Sequence, residues 1–381
     1  MRFVFSRHHQ FVVCSAIAMV FGLLVHGVAR SQEEAATPAT DAAPAADGTT
    51  ETAASAEGEQ KPFDPNEVLK QGQEALKNND FPTALNAFDQ LARAGEQQVS
   101  QEAFQLRLIG YAGRAQALIG LKEYEAAIED FKLALDLNEN FLPVLLTRGK
   151  MYLDLGGPDN YATALADFQK AIKAARGNVD AQFGLGKSLV LTGNFPASIG
   201  PLTRVIEAQP ENAEAYRLRG IAYASTFKNA EAISDLNKSI ELNPADYETY
   251  VALGTIDYRN EDFQGAIGQF GKAIEHYKPK DPEDKLPYFQ GYLTRASIFM
   301  ELAKKLEKDE EKKAAYEAAT LEAEKVLAQI DPKNPYTGSI RASALYARGL
   351  GERMLGQLNK AVQTFSEAIE LNPDLAEAYY R

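Results

Sequence analysis

The chain reads as an all-α protein, an array of paired helices, because three marks return together along it. A residue that is small in all but one copy opens the pairs Ala84-Leu85, Ala127-Ile128, Ala164-Leu165, Ser198-Ile199, Ala232-Ile233, Ala266-Ile267, Thr320-Leu321 and Ala361-Val362, at intervals of 43, 37, 34, 34, 34, 54 and 41. Four residues later, in seven of the eight copies, stands a large apolar residue: Phe88, Phe131, Phe168, Leu202, Leu236, Phe270 and Phe365. Upstream, by twelve residues where no insertion intervenes, lies a second small residue: Gly72, Ala115, Gly149, Gly186, Gly220, Gly254, Ala296 and Gly349. Self-similarity at a fixed period marks a repeat fold, and the three consecutive intervals of 34 set the unit.

Each mark has a physical role. Small residues such as Gly220 and Ala232 let two helices approach closely, while Ala232, Ile233, Leu236 and Ile240 give a helix one apolar stripe. Pro244 ends the second helix, since it lacks a donor and disfavours a helical residue before it. A single pair cannot bury both of its faces, so neighbouring repeats must stack. Departures from the period locate insertions of nine residues near Gln98 to Leu106, three near Gly157-Pro158-Asp159 and eight around Asp281 to Tyr288. The seventh copy is the least regular, with Thr320 and Glu324 at sites that are small and large apolar elsewhere. Its run from Lys304 to Lys313 alternates in charge and predicts a solvated helical protrusion.

The pattern resembles the tetratricopeptide repeat, most plainly in Ala215-Tyr216, Gly220, Tyr223, Glu231-Ala232-Ile233 and Ile240-Glu241-Leu242-Asn243-Pro244. Its closing signature recurs at Leu137-Asn138, Gln209-Pro210, Asp331-Pro332 and Leu371-Asn372-Pro373. The resemblance implies antiparallel helix pairs stacked into a right-handed superhelical solenoid with a concave groove. Eight repeats are expected at about 65–98, 108–141, 142–178, 179–212, 213–246, 247–280, 289–334 and 342–375, with a partial repeat start at 376–381.

The array occupies residues 63–381 and is preceded by two segments of other character. Within residues 1–29, Arg2, Arg7, His8 and His9 precede an apolar run from Phe11 to Ala29 that closes on Gly27-Val28-Ala29, the layout of a secretory signal. The 19-residue run is also long enough to span a membrane, so a cleaved signal and an uncleaved N-terminal anchor both stand. With the positive charge on its N-terminal side, either one carries the rest of the chain across the membrane, to an extracytoplasmic place, secreted or periplasmic. Residues 30–62 form an acidic linker. Between Ser31 and Lys61 it has ten alanines, five threonines, seven acids and one lysine, too little apolar surface to offset the entropy of ordering it.

Composition narrows the function. The formal charge of -13, with 53 acidic against 40 basic side chains, argues against nucleic acid, whose binding rests on clustered Lys and Arg. The one cysteine, Cys14, lies in the apolar run, and after residue 26 only His276 remains, so no thiolate or histidine metal site, cofactor or catalytic triad is expected. Ala181 to Ser188 fits a loose phosphate-loop pattern, yet Gly186 stands in step with Gly149, Gly220 and Gly254 inside a first helix, where amides are already bonded. Arginine precedes the small first-helix residue at Arg114, Arg148, Arg219, Arg295 and Arg348, and an aspartate precedes the large residue at Asp130, Asp167 and Asp235. A recurrent interhelix ion pair is expected there, in preference to anion binding. His276, at a helix end, reads as a surface or capping residue, and Tyr216, Tyr250, Tyr292 and Tyr379 as packing residues in repeat register.

These observations predict a non-catalytic extracytoplasmic scaffold that binds a protein or peptide. The alternatives are a cell-envelope assembly factor and an accessory subunit of an enzyme complex. The resemblance implies a groove lined by first helices, at positions that here hold Leu146, Lys150, Leu153, Phe183, Lys187, Val190, Arg217, Ile221, Val251 and Thr255. The Lys-Asn clamp with which some family members hold acidic peptide C-termini has no counterpart here. Leu146, Phe183, Val190 and Ile221, interleaved with Lys150, Lys187 and Arg217, would offer apolar pockets within reach of positive charge. The apolar end of the eighth repeat is expected to self-associate or to continue into further repeats.

Overall fold

The computed structural model describes residues 63–97, 99–279, 287–331 and 337–373. The N-terminal apolar run, the acidic linker, most of the insertion at Asp281 to Tyr288 and the pattern restart at 376–381 lie outside the described residues. Among the described residues there are sixteen helices and no strand. They are α1 (Pro65–Lys77), α2 (Phe81–Glu96), α3 (Gln101–Gly120), α4 (Tyr124–Leu137), α5 (Leu142–Leu155), α6 (Pro158–Ala174), α7 (Val179–Leu191), α8 (Phe195–Ala208), α9 (Ala213–Ser225), α10 (Asn229–Leu242), α11 (Tyr247–Arg259), α12 (Phe263–His276), α13 (Phe289–Lys305), α14 (Asp309–Gln329), α15 (Gly338–Met354) and α16 (Leu358–Leu371). Odd-numbered helices are the first, even-numbered helices the second, of each repeat. The described residues divide into two compact units, one ending at Asn194 and one beginning at Phe195.

Local chemistry sets the helix ends. Asn178, Asn212 and Asp246 cap α7, α9 and α11, their side chains accepting from Ala181 N at 2.7 Å, Ala215 N at 2.9 Å and Glu248 N at 3.3 Å. Helix α10 ends at Leu242, and Pro244 follows in the turn. Between first and second helices the chain reverses through one residue in the left-handed region: Asn79, Lys122, Gly193, Phe227, Glu261 or Gly356. The three added residues near Gly157 build a turn with positive φ at both Gly156 and Gly157. Most of the insertion at Gln98 to Leu106 is helical, because α3 starts at Gln101, capped by Ser100, and runs for 20 residues.

Within each unit, neighbouring helices are antiparallel. Along α2 and α3, Gly95 lies against Arg107, Ala92 against Gly110, Phe88 against Gly113 and Phe81 against Gly120, so residue numbers fall on one helix as they rise on the other. Between α9 and α10, Ser239 Oγ donates to the Ala213 carbonyl at 2.9 Å while Gly220 faces Leu236. The large residues sit at the centre of this packing: Phe131, Leu202 and Leu236 are fully buried, and Phe88, Phe168 and Phe270 nearly so. Phe88, Phe168, Leu236 and Phe270 each face the glycine of their own first helix. A Cβ added at Gly149 would come within 2.8 Å of Phe168, one at Gly220 within 2.8 Å of Leu236 and one at Gly254 within 2.9 Å of Phe270.

The seventh repeat departs from the sequence reading by one residue. Ala319 and Ala323, buried to 1% and 0% exposure, occupy the sites assigned to Thr320 and Glu324, and Glu324 points to solvent. Glu322 then stands where Asp130, Asp167 and Asp235 stand in other repeats, facing Arg295 at 3.4 Å. The sequence misleads here because Ala318-Ala319-Thr320 holds three small residues in a row, with no large residue four positions on to fix the phase. The charged run is also divided: α13 ends at Lys305, α14 starts at Asp309, and Leu306 to Lys308 join them. Its charges pair locally, Lys304 with Glu301 at 2.6 Å and Lys308 with Glu311 at 2.8 Å, while Lys305 reaches Glu261 at 2.8 Å.

Phe270 is 2% exposed and fills the space left by Gly254. Truncation to alanine in the intact chain is expected to cost about 3–5 kcal/mol, read from urea unfolding, and a loss below about 1 kcal/mol would contradict this packing.

Candidate functional site

In the unit ending at Asn194, successive first helices α1, α3, α5 and α7 lie against one another and form a continuous surface. On α5, Leu146 and Leu153 are half-buried and Lys150 is exposed; on α7, Phe183 and Lys187 are half-buried. Leu146 packs beside Leu145, Ala171 and Ala181, so its apolar surface is shared between the core and the outer face. These five side chains keep surface to offer. Val190 does not, since at 3% exposure it belongs to the packing beneath.

The unit beginning at Phe195 gives its candidates a different role. Ile221, Val251 and Thr255 are buried, and Thr255 Oγ1 donates to the Val251 carbonyl at 2.7 Å within α11. Arg217 is enclosed by carboxylates: Asp246 at 2.9 Å, Glu214 at 3.5 Å and Glu248. Burial disfavours the charged guanidinium, but Glu248, Asp246 and Glu214 more than offset it and raise its pKa. Arg217 therefore clasps α9 to the first turn of α11, which corrects the reading of it as a cation open to a peptide. The sequence does not show the clasp, because two of its three carboxylates lie in the next repeat, at the cap and first turn of α11, where acids are expected for capping alone.

Beside the clasp, Tyr247 meets Tyr277 edge-on with ring centres 5.0 Å apart, and Tyr277 stacks on Tyr288 at 5.1 Å. Burial raises the pKa of the Tyr247 and Tyr288 phenols. Tyr111 is pushed up to about 12, first by burial and then by its 2.6 Å hydrogen bond to Glu96.

The arginine ladder is interhelical. Arg114 donates to both Asp130 oxygens at 2.7 and 2.6 Å, Arg148 to both of Asp167 at 2.9 and 2.6 Å, and Arg219 to both of Asp235 at 2.7 and 2.9 Å. The three carboxylates are buried and the arginines partly so, which makes loss of one partner the costly change. In the eighth repeat a hydroxyl takes the aspartate's place: Arg348 donates to Thr364 Oγ1 at 3.1 Å, and Thr364 donates to Glu352 at 2.7 Å. Gly186 lies buried inside α7, and Ser188 Oγ donates to the Gly184 carbonyl, so the phosphate-loop pattern is helical interior. His276 is half-buried and stacks on Tyr250 at 5.4 Å, a packing role where a surface or cap position was expected. Among the described residues no three His, Cys, Asp or Glu side chains group to hold a metal, and no helix is long and apolar enough to cross a membrane.

Family models described as tetratricopeptide repeat match residues 69–140, 157–221 and 213–246, and one described as TPR repeat matches 352–381. With the helix pairs and their small-to-large packing, they define the class: the chain is a tetratricopeptide repeat protein. Among curated proteins it is similar to tetratricopeptide repeat protein 6 of Homo sapiens, 25% identical over 43% of this chain and 37% of that one. It is also similar to DnaJ homolog subfamily C member 3 of Homo sapiens, 23% identical over 71% of this chain and 54% of that one, and to the Hsp70-Hsp90 organizing protein of Triticum aestivum, 24% identical over 42% and 26%. The chain spans about half or less of the length of these relatives. Among solved structures it is similar to MamA, 25% identical with a TM-score of 0.38 over 42% of this chain and 93% of that one.

The buried phenols make a pH prediction. Their folded pKa values lie above those of the unfolded chain, so the neutral forms favour folding. That stability is complete below about pH 10 and is lost as pH rises, through about 12 for Tyr111 and higher for Tyr247 and Tyr288. Alkaline titration at 295 nm is expected to show three phenols ionising only near or above pH 12, and full ionisation of all tyrosines near pH 10 would contradict their burial.

Proposed function

We propose that this chain is a non-catalytic scaffold that binds a polypeptide on the surface formed by its first helices, and that it works outside the cytoplasm. The observation that carries the binding reading is the pairing, on adjacent helices α5 and α7, of partly exposed apolar side chains Leu146, Leu153 and Phe183 with the lysines Lys150 and Lys187, in a chain of net charge -13. A peptide with apolar anchors and nearby carboxylates suits this surface, the anchors giving most of the affinity and the charges most of the orientation and on-rate. The names of two similar proteins support a protein partner: the Hsp70-Hsp90 organizing protein and the BBSome complex member BBS4 of Bos taurus, 25% identical over 67% of this chain. The export reading rests on Arg2 and Arg7 ahead of the apolar run from Phe11 to Ala29.

The test begins with affinity capture of a partner from the envelope fraction of the native cell. Phe183→Ala combined with Lys187→Glu is then expected to weaken that complex at least tenfold, about 1.4 kcal/mol, with little change in melting temperature. Unchanged affinity would move the binding surface elsewhere on the chain.

A further inference from the structure

Helix α16, the last second helix among the described residues, leaves open an apolar stripe that its counterparts cover. Leu358 is 61% and Val362 66% exposed. At the same two positions α2 holds Phe81 and Leu85 and α8 holds Phe195 and Ile199, each of them half-buried. Phe365 is half-buried, whereas Phe88, Phe131, Phe168, Leu202, Leu236 and Phe270 are all buried. A contiguous apolar face of this kind marks an interaction surface.

The cover it lacks is specified by the contact between α2 and α3, where the same stripe is closed. Gly110 of α3 lies on Ala92, Gly113 on Phe88 and Gly120 on Phe81, while Arg114 donates to Asp89 at 2.8 Å. Counted from Ala84 and Ala361, the residues of α16 that match Ala92, Phe88, Phe81 and Asp89 are Ile369, Phe365, Leu358 and Ser366. Ser366 Oγ donates to the Val362 carbonyl at 2.9 Å. Thr203, at the same position of α8, donates to the Ile199 carbonyl at 2.8 Å and in that posture accepts from Arg219 of the next first helix at 3.1 Å. Ser366 is therefore set to accept from an arginine in the same way.

The other end of the array does not supply the cover. On α1, Glu67, Lys70, Gln71 and Lys77 stand where α3 has Gly110, Gly113, Arg114 and Gly120, and all four are exposed. A second copy stacked end to end would press charged side chains onto the stripe, which is costly without partners. Residues 374–381 contain no glycine, and the one Gly-Arg pair in the sequence, Gly113-Arg114, is already engaged by Phe88 and Asp89.

We propose that the α16 stripe is a docking site for a helix of another polypeptide that carries glycine followed by arginine, with a further glycine one turn or two beyond. The first glycine seats on Phe365, the arginine donates to Ser366, and the helix runs antiparallel to α16 across Val362 and Leu358. The site is separate from the first-helix surface of Lys150 and Lys187, and selects for small residues where that surface selects for apolar anchors.

The test uses the full chain and a fluorescent peptide with the 20-residue sequence Gln101–Gly120, alongside Gly113→Leu and Arg114→Gln versions of it. Amide NMR shifts are expected at Leu358, Val362, Phe365 and Ser366. By fluorescence anisotropy, Gly113→Leu in the peptide weakens binding at least tenfold and Arg114→Gln at least threefold. In the chain, Val362→Lys weakens binding at least tenfold and leaves the melting midpoint unchanged or raised. Ser366→Ala weakens binding of the parent peptide at least threefold and removes its advantage over the Arg114→Gln peptide, a coupling that mere stickiness of the stripe would not give. Phe183→Ala with Lys187→Glu leaves this binding intact. Equal binding of the three peptides, absence of binding, shifts at Phe81 and Phe88 in place of α16, or dimerisation in light scattering that Val362→Lys abolishes would each overturn the proposal.

Discussion

In the unit ending at Asn194, two aromatic rings, each wedged between two glycines, hold the helices in register. Phe168 on α6 faces Gly149 on α5 of its own repeat and Gly184 on α7 of the next; Phe88 on α2 faces Gly72 on α1 and Gly113 on α3. The same side chain therefore closes the pair and joins it to its neighbour. Any side chain at these glycines would push the helices apart, because packed interiors hold no spare volume for a methyl group. The bidentate pairs Arg148–Asp167 and Arg114–Asp130 stand one residue before the glycine or alanine and the phenylalanine. A directional contact is thus laid beside a nondirectional one, fixing rotation as well as distance.

Most of this was legible in the sequence because the constraint is local and recurs. A glycine or alanine on one helix, a large residue on the next and an arginine-aspartate pair beside them need only the right spacing to be read. The seventh repeat shows the limit: with Ala319 and Ala323 at both sites no large residue sets the phase, and the sequence pattern points to Thr320 and Glu324 instead. The candidate surface was less legible. First-helix positions alternate between outer face and packing within a single turn, so Phe183 and Lys187 keep surface while Val190 is buried. Arg217 looked like an open cation because its three carboxylates are spread over two repeats, and only the fold brings Asp246 and Glu248 onto it.

The division of labour between faces follows from the same packing. Second helices commit their large residues to the interior, and three of the helix pairs are also tied by bidentate arginine–aspartate pairs whose carboxylates are buried. Ahead of α16, what keeps exposed surface is the outer face of the first helices. Within the unit ending at Asn194 that leaves a surface of leucine, phenylalanine and lysine.

The wedge is tested most directly by the sign of one substitution, Gly184→Ala. In an unconstrained helix the change stabilises by about 1 kcal/mol, since alanine loses less conformational entropy and is the best helix former. Here the added methyl meets the Phe168 ring. The expected result is a loss of stability in urea unfolding, relieved when Phe168→Leu is introduced with it, with a coupling of about 0.5–3 kcal/mol between the two sites. A stabilising Gly184→Ala, or effects of the two changes that simply add, would contradict the account.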